Sequence, residues 1–376
     1  MARQTMRQKR MHALSTAAAD FDGWEQGREV LTPVHSVPTI FPQYDIATRV
    51  HGHPIQRVTL VHGPSNMGKT LFMLGLGRSF LEREHFYFHV DAEFTTPEPW
   101  VVELLREYAD YPTFMALRPE DYESTAAAIR AACKKLVEQR VAGKIPNDTT
   151  AMFGIDSLQK LIPKNFFEEL SKAAYKGGPD PLKGRGGMLQ AALNSSWMKE
   201  LVPMMYHANA AIVLLSREAE NTKATSMYDP DFKVGGGKAP YYDSSLVLRI
   251  TRAEWLVKGK TKTKPGTVIG EKLLIQIMKT KVGGKEGRVT RCFFHTSNGQ
   301  HIPPGFDLAR DVIELGLQCG VLTKDSGGKL LDAGTGEGYG KLNAAVTKLT
   351  ADMTTLHDLK DRVLAKSAPD EEDIAS

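Results

Sequence analysis

The chain has 376 residues, of which 41% are apolar and 24% charged, enough to bury one large core with an appendage. Its net charge of +4 is too weak a bias to argue by itself for a nucleic-acid partner. No run approaches the roughly 18 apolar residues of a membrane span, the start Met1 to Arg10 lacks a secretory hydrophobic stretch, and Cys133, Cys292 and Cys319 stand apart with no C-x-x-C spacing. A soluble, intracellular protein without a zinc knuckle, a disulfide framework or a membrane partner is expected.

In chain order, a helix is expected near Met11 to Gln26, behind the cations Arg3, Arg7, Lys9 and Arg10, followed by an extended stretch punctuated by Pro33, Pro38 and Pro42. His51, His53 and His62 are close in sequence but flank the start of a strand, where packing or solvent suits them better than a metal. Val58 to Val61 reads as that strand and Leu71 to Phe80 as an apolar helix. Between them Gly63-Pro64-Ser65-Asn66-Met67-Gly68-Lys69-Thr70 fills the phosphate-loop pattern G-x-x-x-x-G-K-[ST] in its required strand–loop–helix context. The two glycines let the backbone curl so that N–H groups face the phosphates, and the helix beginning near Lys69 adds its positive dipole end. Lys69 is expected on the β/γ-phosphates and Thr70 on Mg²⁺.

Further strands are expected at Phe86 to Val90, Ala151 to Ile155 and Ala211 to Leu215, and helices at Thr125 to Glu138 and Met188 to His207. Such alternation implies a parallel sheet with helices on both faces. Leu246 to Ile250, Leu273 to Met278 and Val289 to His295, separated by Gly- and Lys-rich turns, read as antiparallel strands added to that sheet. Lys258, Lys260, Lys262 and Lys264 alternate through one of these turns, and Asp370 to Asp373 form an acidic run. A charge run is as readily a solvated segment as a binding site. Two Gly-containing stretches, Pro163 to Gly187 and Arg217 to Pro240, exceed ordinary connections and are expected to be functional or disordered.

The ends of parallel strands are where α/β sheets place their chemistry. Asp156 follows the strand Ala151 to Ile155 and precedes Ser157, the Walker B arrangement in which a carboxylate reaches Mg²⁺ beside Thr70. Glu93, in Asp91-Ala92-Glu93 at the end of the preceding strand, is placed to polarise a water for attack on a γ-phosphate. Either carboxylate could instead cap a neighbouring helix.

Several of these segments together resemble the RecA strand-exchange family. They are Asp91-Ala92-Glu93, Ile155-Asp156-Ser157-Leu158, Gly235-Gly236-Gly237-Lys238 with Tyr241-Tyr242 at the end of a long loop, and Lys279-Thr280-Lys281 after a strand. Tyr44-Asp45-Ile46-Ala47 and Gly52 to Arg57 upstream, and Gly338 to Ala344 downstream, extend the resemblance over about residues 37 to 364. The Gly-Gly-Gly-x-x-Pro-x-Tyr segment and the compact C-terminus look most similar to phage recombinases of the UvsX type, which implies a phage-infected bacterial host and its cytoplasm.

The resemblance implies a fold, a set of roles and partners. The fold is a RecA-like α/β ATPase core over residues 37–310, with a mostly parallel sheet and antiparallel additions. Residues 1–36 would be a helix and oligomerisation arm, and 311–376 a small C-terminal α/β domain with an acidic tail. Glu93 would be the catalytic carboxylate and Trp100 would stack on the adenine of ATP, although an aromatic at that spacing also suits a core. Lys279 and Lys281 would reach a neighbouring subunit's γ-phosphate. Lys164, Lys176, Lys183 and Arg185 on the first long stretch, and Lys223, Lys233, Gly235, Gly236, Gly237 and Lys238 on the second, would bind DNA, with Met188 a wedge between bases or simply a core residue. The implied partners are single-stranded and duplex DNA, further copies of the chain in a helical filament, and a loading or single-strand-binding protein.

Leu214-Leu215-Ser216-Arg217 departs from the family, which carries an Asn followed by Gln there. Arg217 can still bind a phosphate, but it is charged in every state. Two other classes share such a core. A ring helicase would need an arginine finger at the subunit junction and a further N-terminal domain, for which the roughly 40 residues before the core leave no room. A non-enzymatic filament licensed by ATP would not place Glu93 on the γ-phosphate.

Overall fold

A computed structural model describes residues 34–165, 186–220, 232–259, 265–296 and 304–367, together with 10–11 and 14–15. Residues 1–34 form one unit and 35–376 another, and the account below concerns the second. Residues 10–11 and 14–15 are helical, while the rest of the expected N-terminal helix and arm lies outside the described residues. So do Lys176, Lys183, Arg185, Lys223, Lys260, Lys262, Lys264 and the acidic run.

Buried apolar runs make the centre of the sheet. Two short strands, β1 (Ser36–Val37) and β2 (His53–Pro54), pair with each other beside helix α1 (Pro42–Thr48). Then come β3 (Val58–Gly63), helix α2 (Lys69–Leu81), β4 (Phe86–Asp91), helix α3 (Glu98–Leu105), β5 (Phe114–Leu117), helix α4 (Tyr122–Val141) and β6 (Ala151–Asp156). Every residue of β3 and of β6 is buried, as a parallel strand covered by helices on both faces requires. Removing side chains such as Leu60 and Phe153 from water stabilises the core by about 2 kcal/mol each. Helix α4 starts from a capping box, since the Asp121 carboxylate accepts from Ser124 N–H at 2.6 Å while Ser124 Oγ accepts from Asp121 N–H at 3.2 Å.

Helix α5 (Gly186–His207), β7 (Ala210–Glu220), β8 (Phe232–Val234), α6 (Ala239–Asp243), β9 (Leu246–Lys258), β10 (Thr267–Thr280), β11 (Val289–His295) and β12 (Gly305–Phe306) complete the core. The sheet order is β12-β11-β10-β9-β3-β7-β6-β4-β5, with β8 paired to β7. The strands from β9 through β5 run parallel, whereas β9–β10, β10–β11 and β11–β12 are antiparallel. This is the expected mixed sheet: mostly parallel in the centre with antiparallel additions. Along β10, Leu273, Ile275 and Ile277 are buried and alternate with less buried neighbours, the period of a strand covered on one face.

Two expectations about extent are corrected. β9 and β10 have 13 and 14 residues and form a long hairpin where only short cores were expected. The stretch from Arg217 to Pro240 is not loop throughout, because β7 continues to Glu220 and pairs Glu218, Ala219 and Glu220 with Val234, Lys233 and Phe232 of β8. The run Arg-Glu-Ala-Glu shows no apolar alternation, but ladder hydrogen bonds come from the backbone and need none.

The C-terminal segment holds helix α7 (Leu308–Gln318), an antiparallel sheet of β13 (Leu322–Lys324), β14 (Leu330–Asp332) and β15 (Gly338–Gly340), and helices α8 (Leu342–Ala351) and α9 (Met353–Ser367). Its apolar side chains form a cluster of their own, joined by Ile46 of α1. The expected boundary at residue 310 falls within α7, which starts from Asp307 as its cap. Among the described residues no helix is long and apolar enough to cross a membrane.

Candidate functional site

The phosphate loop is pressed between β3 and the antiparallel strands. A Cβ on Gly63 would lie 2.2 Å from the Ile250 carbonyl oxygen, and one on Gly68, whose φ is 82°, would lie 2.7 Å from Leu273 Cδ1. Lys69 opens helix α2, and its Nζ donates to the carbonyls of Gly63 at 3.0 Å and Pro64 at 2.6 Å. Burial lowers the pKa of this ammonium.

Strands β4 and β6 are neighbours in register, with Asp91 opposite Asp156, so their ends bring three carboxylates together. Asp91 serves the loop that follows, accepting from the N–H groups of Thr95 and Thr96 at 3.3 and 3.2 Å, with Arg118 at 3.5 Å. The Asp156 carbonyl accepts from Ala92 and Glu93 N–H at 2.7 and 3.1 Å, which fixes Glu93 beside β6. Thr70 Oγ1 donates to Asp156 Oδ2 at 2.6 Å. Burial, with the charges of Glu93 and Asp91 adding to it and Thr70 and Lys69 opposing it, pushes the Asp156 carboxyl up to about 6. Glu93 is engaged at both oxygens: Ser157 Oγ donates to Oε1 at 2.6 Å, and Arg217 Nη2 lies 2.6 Å from Oε2. Burial would raise its pKa, but these two partners outweigh that and the net direction is downward.

Lys69, Thr70, Glu93, Asp156, Ser157 and Arg217 line one cleft of about 480 Å³, with Trp100 of α3 on its rim. Trp100 is 48% exposed, a position open to a flat ligand rather than a core one. Pro64 takes part through its carbonyl, while Ser65, Asn66, Met67, Gly68, Lys69 and Thr70 line the cleft directly. Thr70 and Asp156 are hard oxygen donors, and a carboxylate whose ionisation is penalised by burial and by like charges gains from a divalent cation; the pair fits Mg²⁺. His53 is buried with Nδ1 2.9 Å from Tyr44 Oη, and His62 Nδ1 lies 2.8 Å from Glu218, so these histidines serve separate contacts.

Four lining residues, Leu71, Ser157, Arg252 and Glu271, were not expected from the sequence. Ser157 was visible beside Asp156 but carried no role. Arg252 and Glu271 come from β9 and β10: Arg252 Nε bonds the buried Glu271 carboxylate, its Nη2 donates to the Asn66 carbonyl, and its guanidinium lies 3.8 Å over Trp255. Each stands among other charged residues of its strand, and the sequence does not tell which residue lies opposite.

Both long stretches leave from this end of the sheet, after β6 and β7. Lys164 is exposed and its N–H donates to Glu123 at 2.8 Å; Lys233, in β8, and Lys238 are exposed too. Met188 lies within α5, but its side chain is outside the described residues, as are Lys183 and Arg185. Gly235, Gly236 and Gly237 pack closely against Gln159 and α5. Gly236 O accepts from Asn194 at 2.8 Å, and a Cβ on Gly237, at φ 90°, would lie 2.7 Å from that of Ala191.

Lys279 and Lys281 do not share surroundings, as residues spaced by one on a regular strand end would. A register irregularity between Ile277 and Lys279 breaks the alternation. Lys279 Nζ donates to the carbonyls of Tyr241, Tyr242 and Ser244 at 3.0, 2.5 and 3.0 Å, closing the end of α6, and burial followed by the nearby Lys281 charge lowers its pKa. Lys281 is exposed.

No family model matches the chain. Individual relatives do: it is 25% identical over 318 residues to the RecA protein of Kineococcus radiotolerans, covering 85% of this chain and 79% of that one. It is 23% identical over 319 residues to the RecA protein of Mycolicibacterium smegmatis, with shares of 85% and 79%. With that of Thermotoga neapolitana the identity is 22% over 293 residues, covering 78% and 72%. The similarity to these RecA proteins is distant but runs along most of the chain.

Proposed function

We propose that the chain is a DNA-dependent ATPase of the recombinase type, which polymerises on single-stranded DNA and pairs it with homologous duplex. One observation carries the reading: Lys69, Thr70, Asp156, Ser157 and Glu93 converge on one cleft at the sheet end from which both long stretches depart. The loop amides and Lys69 would hold the phosphates of ATP. Thr70 and Asp156 would hold Mg²⁺, which when bound supplies positive charge to polarise the phosphoryl oxygens. Glu93 would orient the attacking water and take up its proton, held in place by Ser157. Trp100 would cover the base. Lys281, exposed, is the better placed of the two lysines to act on a second copy of the chain, and Lys279 shapes the segment leading to it. The basic residues on the long stretches would track a phosphate backbone without reading sequence. A place among phage recombinases, within a bacterial host and with a loading partner, is the finer part of the proposal and rests on the Gly235 to Tyr242 segment.

The test is ATP turnover with and without single-stranded DNA for the wild type and Glu93→Gln, beside electron micrographs of both with an ATP analogue. DNA-stimulated turnover that falls by roughly 10²–10⁴ in the variant, with binding and filaments retained, is the expected result. A second reading, in which ATP binding alone licenses a filament, draws on the ion pair that occupies Glu93. Filaments from a wild type with no turnover would favour it; rings or monomers would overturn both.

A further inference from the structure

Ala253 is an extra residue in the ladder between β9 and β10. Lys272 pairs with Glu254 and the next residue, Leu273, with Arg252, so one step along β10 answers two along β9. Residues three apart on a regular strand point to opposite faces. Across this bulge Trp255, opposite Glu271, and Arg252, opposite Leu273, share one face instead. That face bears on the phosphate loop, where a Cβ on Gly68 would lie 2.7 Å from Leu273 Cδ1. The Arg252 guanidinium lies 3.8 Å over Trp255, its Nε bonds the Glu271 carboxylate and its Nη2 donates to the Asn66 carbonyl. The side chains of Arg252 and Glu271 are only 18% and 6% exposed, so the pair is fixed in place rather than solvated.

Asn66 has a φ of 59°, the left-handed conformation that costs a residue with a Cβ more than it costs glycine, and Gly68 two residues on has a φ of 82°. Left-handed residues within a turn aim successive amide N–H groups to one side, where an anion can be taken. The Asn66–Met67 peptide is trans, so the Met67 N–H points opposite to the Asn66 carbonyl. A donor that holds this carbonyl on the β9 side therefore turns the Met67 N–H away from β9, and Met67 lines the cleft.

We infer that Arg252 is a positioning residue of the phosphate loop: carried onto the loop by the bulge at Ala253 and locked by Trp255 and Glu271, it keeps Asn66 left-handed and the Met67 amide turned toward a bound phosphate. This role rests on the proposed ATP binding and deepens it, naming the strand hairpin as the part that shapes the anion cradle. One charge-assisted hydrogen bond of this kind is worth about tenfold in affinity.

Calorimetry of the full chain with MgATP and with MgADP, beside thermal unfolding without nucleotide, tests it in wild type, Lys69→Ala, Arg252→Lys and the pair Arg252→Met/Glu271→Met, and in the last two with Asn66→Gly added. Arg252→Lys keeps a cation for Glu271 but lacks the planar fork that serves Glu271 and Asn66 together, and the Met pair leaves no buried charge unpaired should the lysine chain unfold below the titration temperature. Both replacements are expected to weaken ATP and ADP alike by about tenfold, because the loop amides hold phosphates that the two nucleotides share. In a chain that carries Asn66→Gly the same replacements are expected to cost less than about threefold, since glycine adopts the left-handed conformation without a donor to hold it. Unmoved affinity overturns the role. So does a loss confined to ATP, the mark of an arginine that bonds the γ-phosphate itself, and so does a loss equally large with and without Asn66→Gly, which a general loosening of the hairpin would give. ATP binding that Lys69→Ala abolishes leaves the parent reading standing in each of those cases; a wild type that binds no ATP removes both.

Discussion

Replacing Asp156 by Asn should make the protein more stable and less able to bind nucleotide, a combination that follows from where the carboxylate sits. Its pKa is raised from 3.8 to about 6, first by burial and then by the charges of Glu93 and Asp91. At about 1.4 kcal/mol per tenfold change, keeping it ionised at pH 7 costs the fold about 3 kcal/mol. Asn keeps an oxygen for the Thr70 hydroxyl, now 2.6 Å from Oδ2, and carries no charge. A buried amide N–H without a partner takes back about 1 kcal/mol, leaving a net gain of about 2 kcal/mol, or a few degrees in Tm. The sign with pH is equally specific. The native carboxylate binds its proton more tightly than the unfolded one, so stability is lost as pH rises from about 4 to about 6, and the variant should exceed wild type above that window and fall about 1 kcal/mol below it under pH 4. Thermal unfolding in EDTA at pH 4, 5, 6 and 7 measures this, and repeating it with Mg²⁺ and ATP should shift wild type upward and the variant hardly at all. A variant less stable than wild type at pH 7, or a difference that does not change with pH, would refute the electrostatic account of the site.

Lys69→Ala should abolish ATP binding, measured by calorimetry, with Tm within a degree or two of wild type, because among the described residues the ammonium bonds two carbonyls of its own loop; unchanged affinity would sink the phosphate-loop assignment. Of the two lysines, Lys279→Ala should lower stability by about 1 kcal/mol, since three carbonyls at the end of α6 lose a donor, while exposed Lys281→Ala should not. Mixing the double lysine variant with Glu93→Gln protein should recover part of the DNA-stimulated turnover, as one interface then joins an intact Glu93 to intact lysines; no recovery in filaments shown to contain both proteins counts against action in trans.

What the sequence determined by itself is local. The phosphate loop, the apolar strands that flank it, and Asp156 and Glu93 at strand ends are legible because backbone dihedrals, side-chain periodicity and strand termini are set by residues next to one another. Strand boundaries were less so: β7 continues through a polar run and β9 and β10 outlast their apolar centres, since edge pairing needs only backbone groups. The partners of the cleft side chains were decided by tertiary structure alone. Thr70 meets Asp156 across 86 residues of chain and Arg217 meets Glu93 across 124. Arg252 joins Glu271 beside Asn66 through the register of two antiparallel strands, and Lys279 is drawn onto the end of α6 by a local irregularity in that register. Strand order and register come from burying both faces of a twisted sheet at once, a condition on the whole chain that no window of it contains.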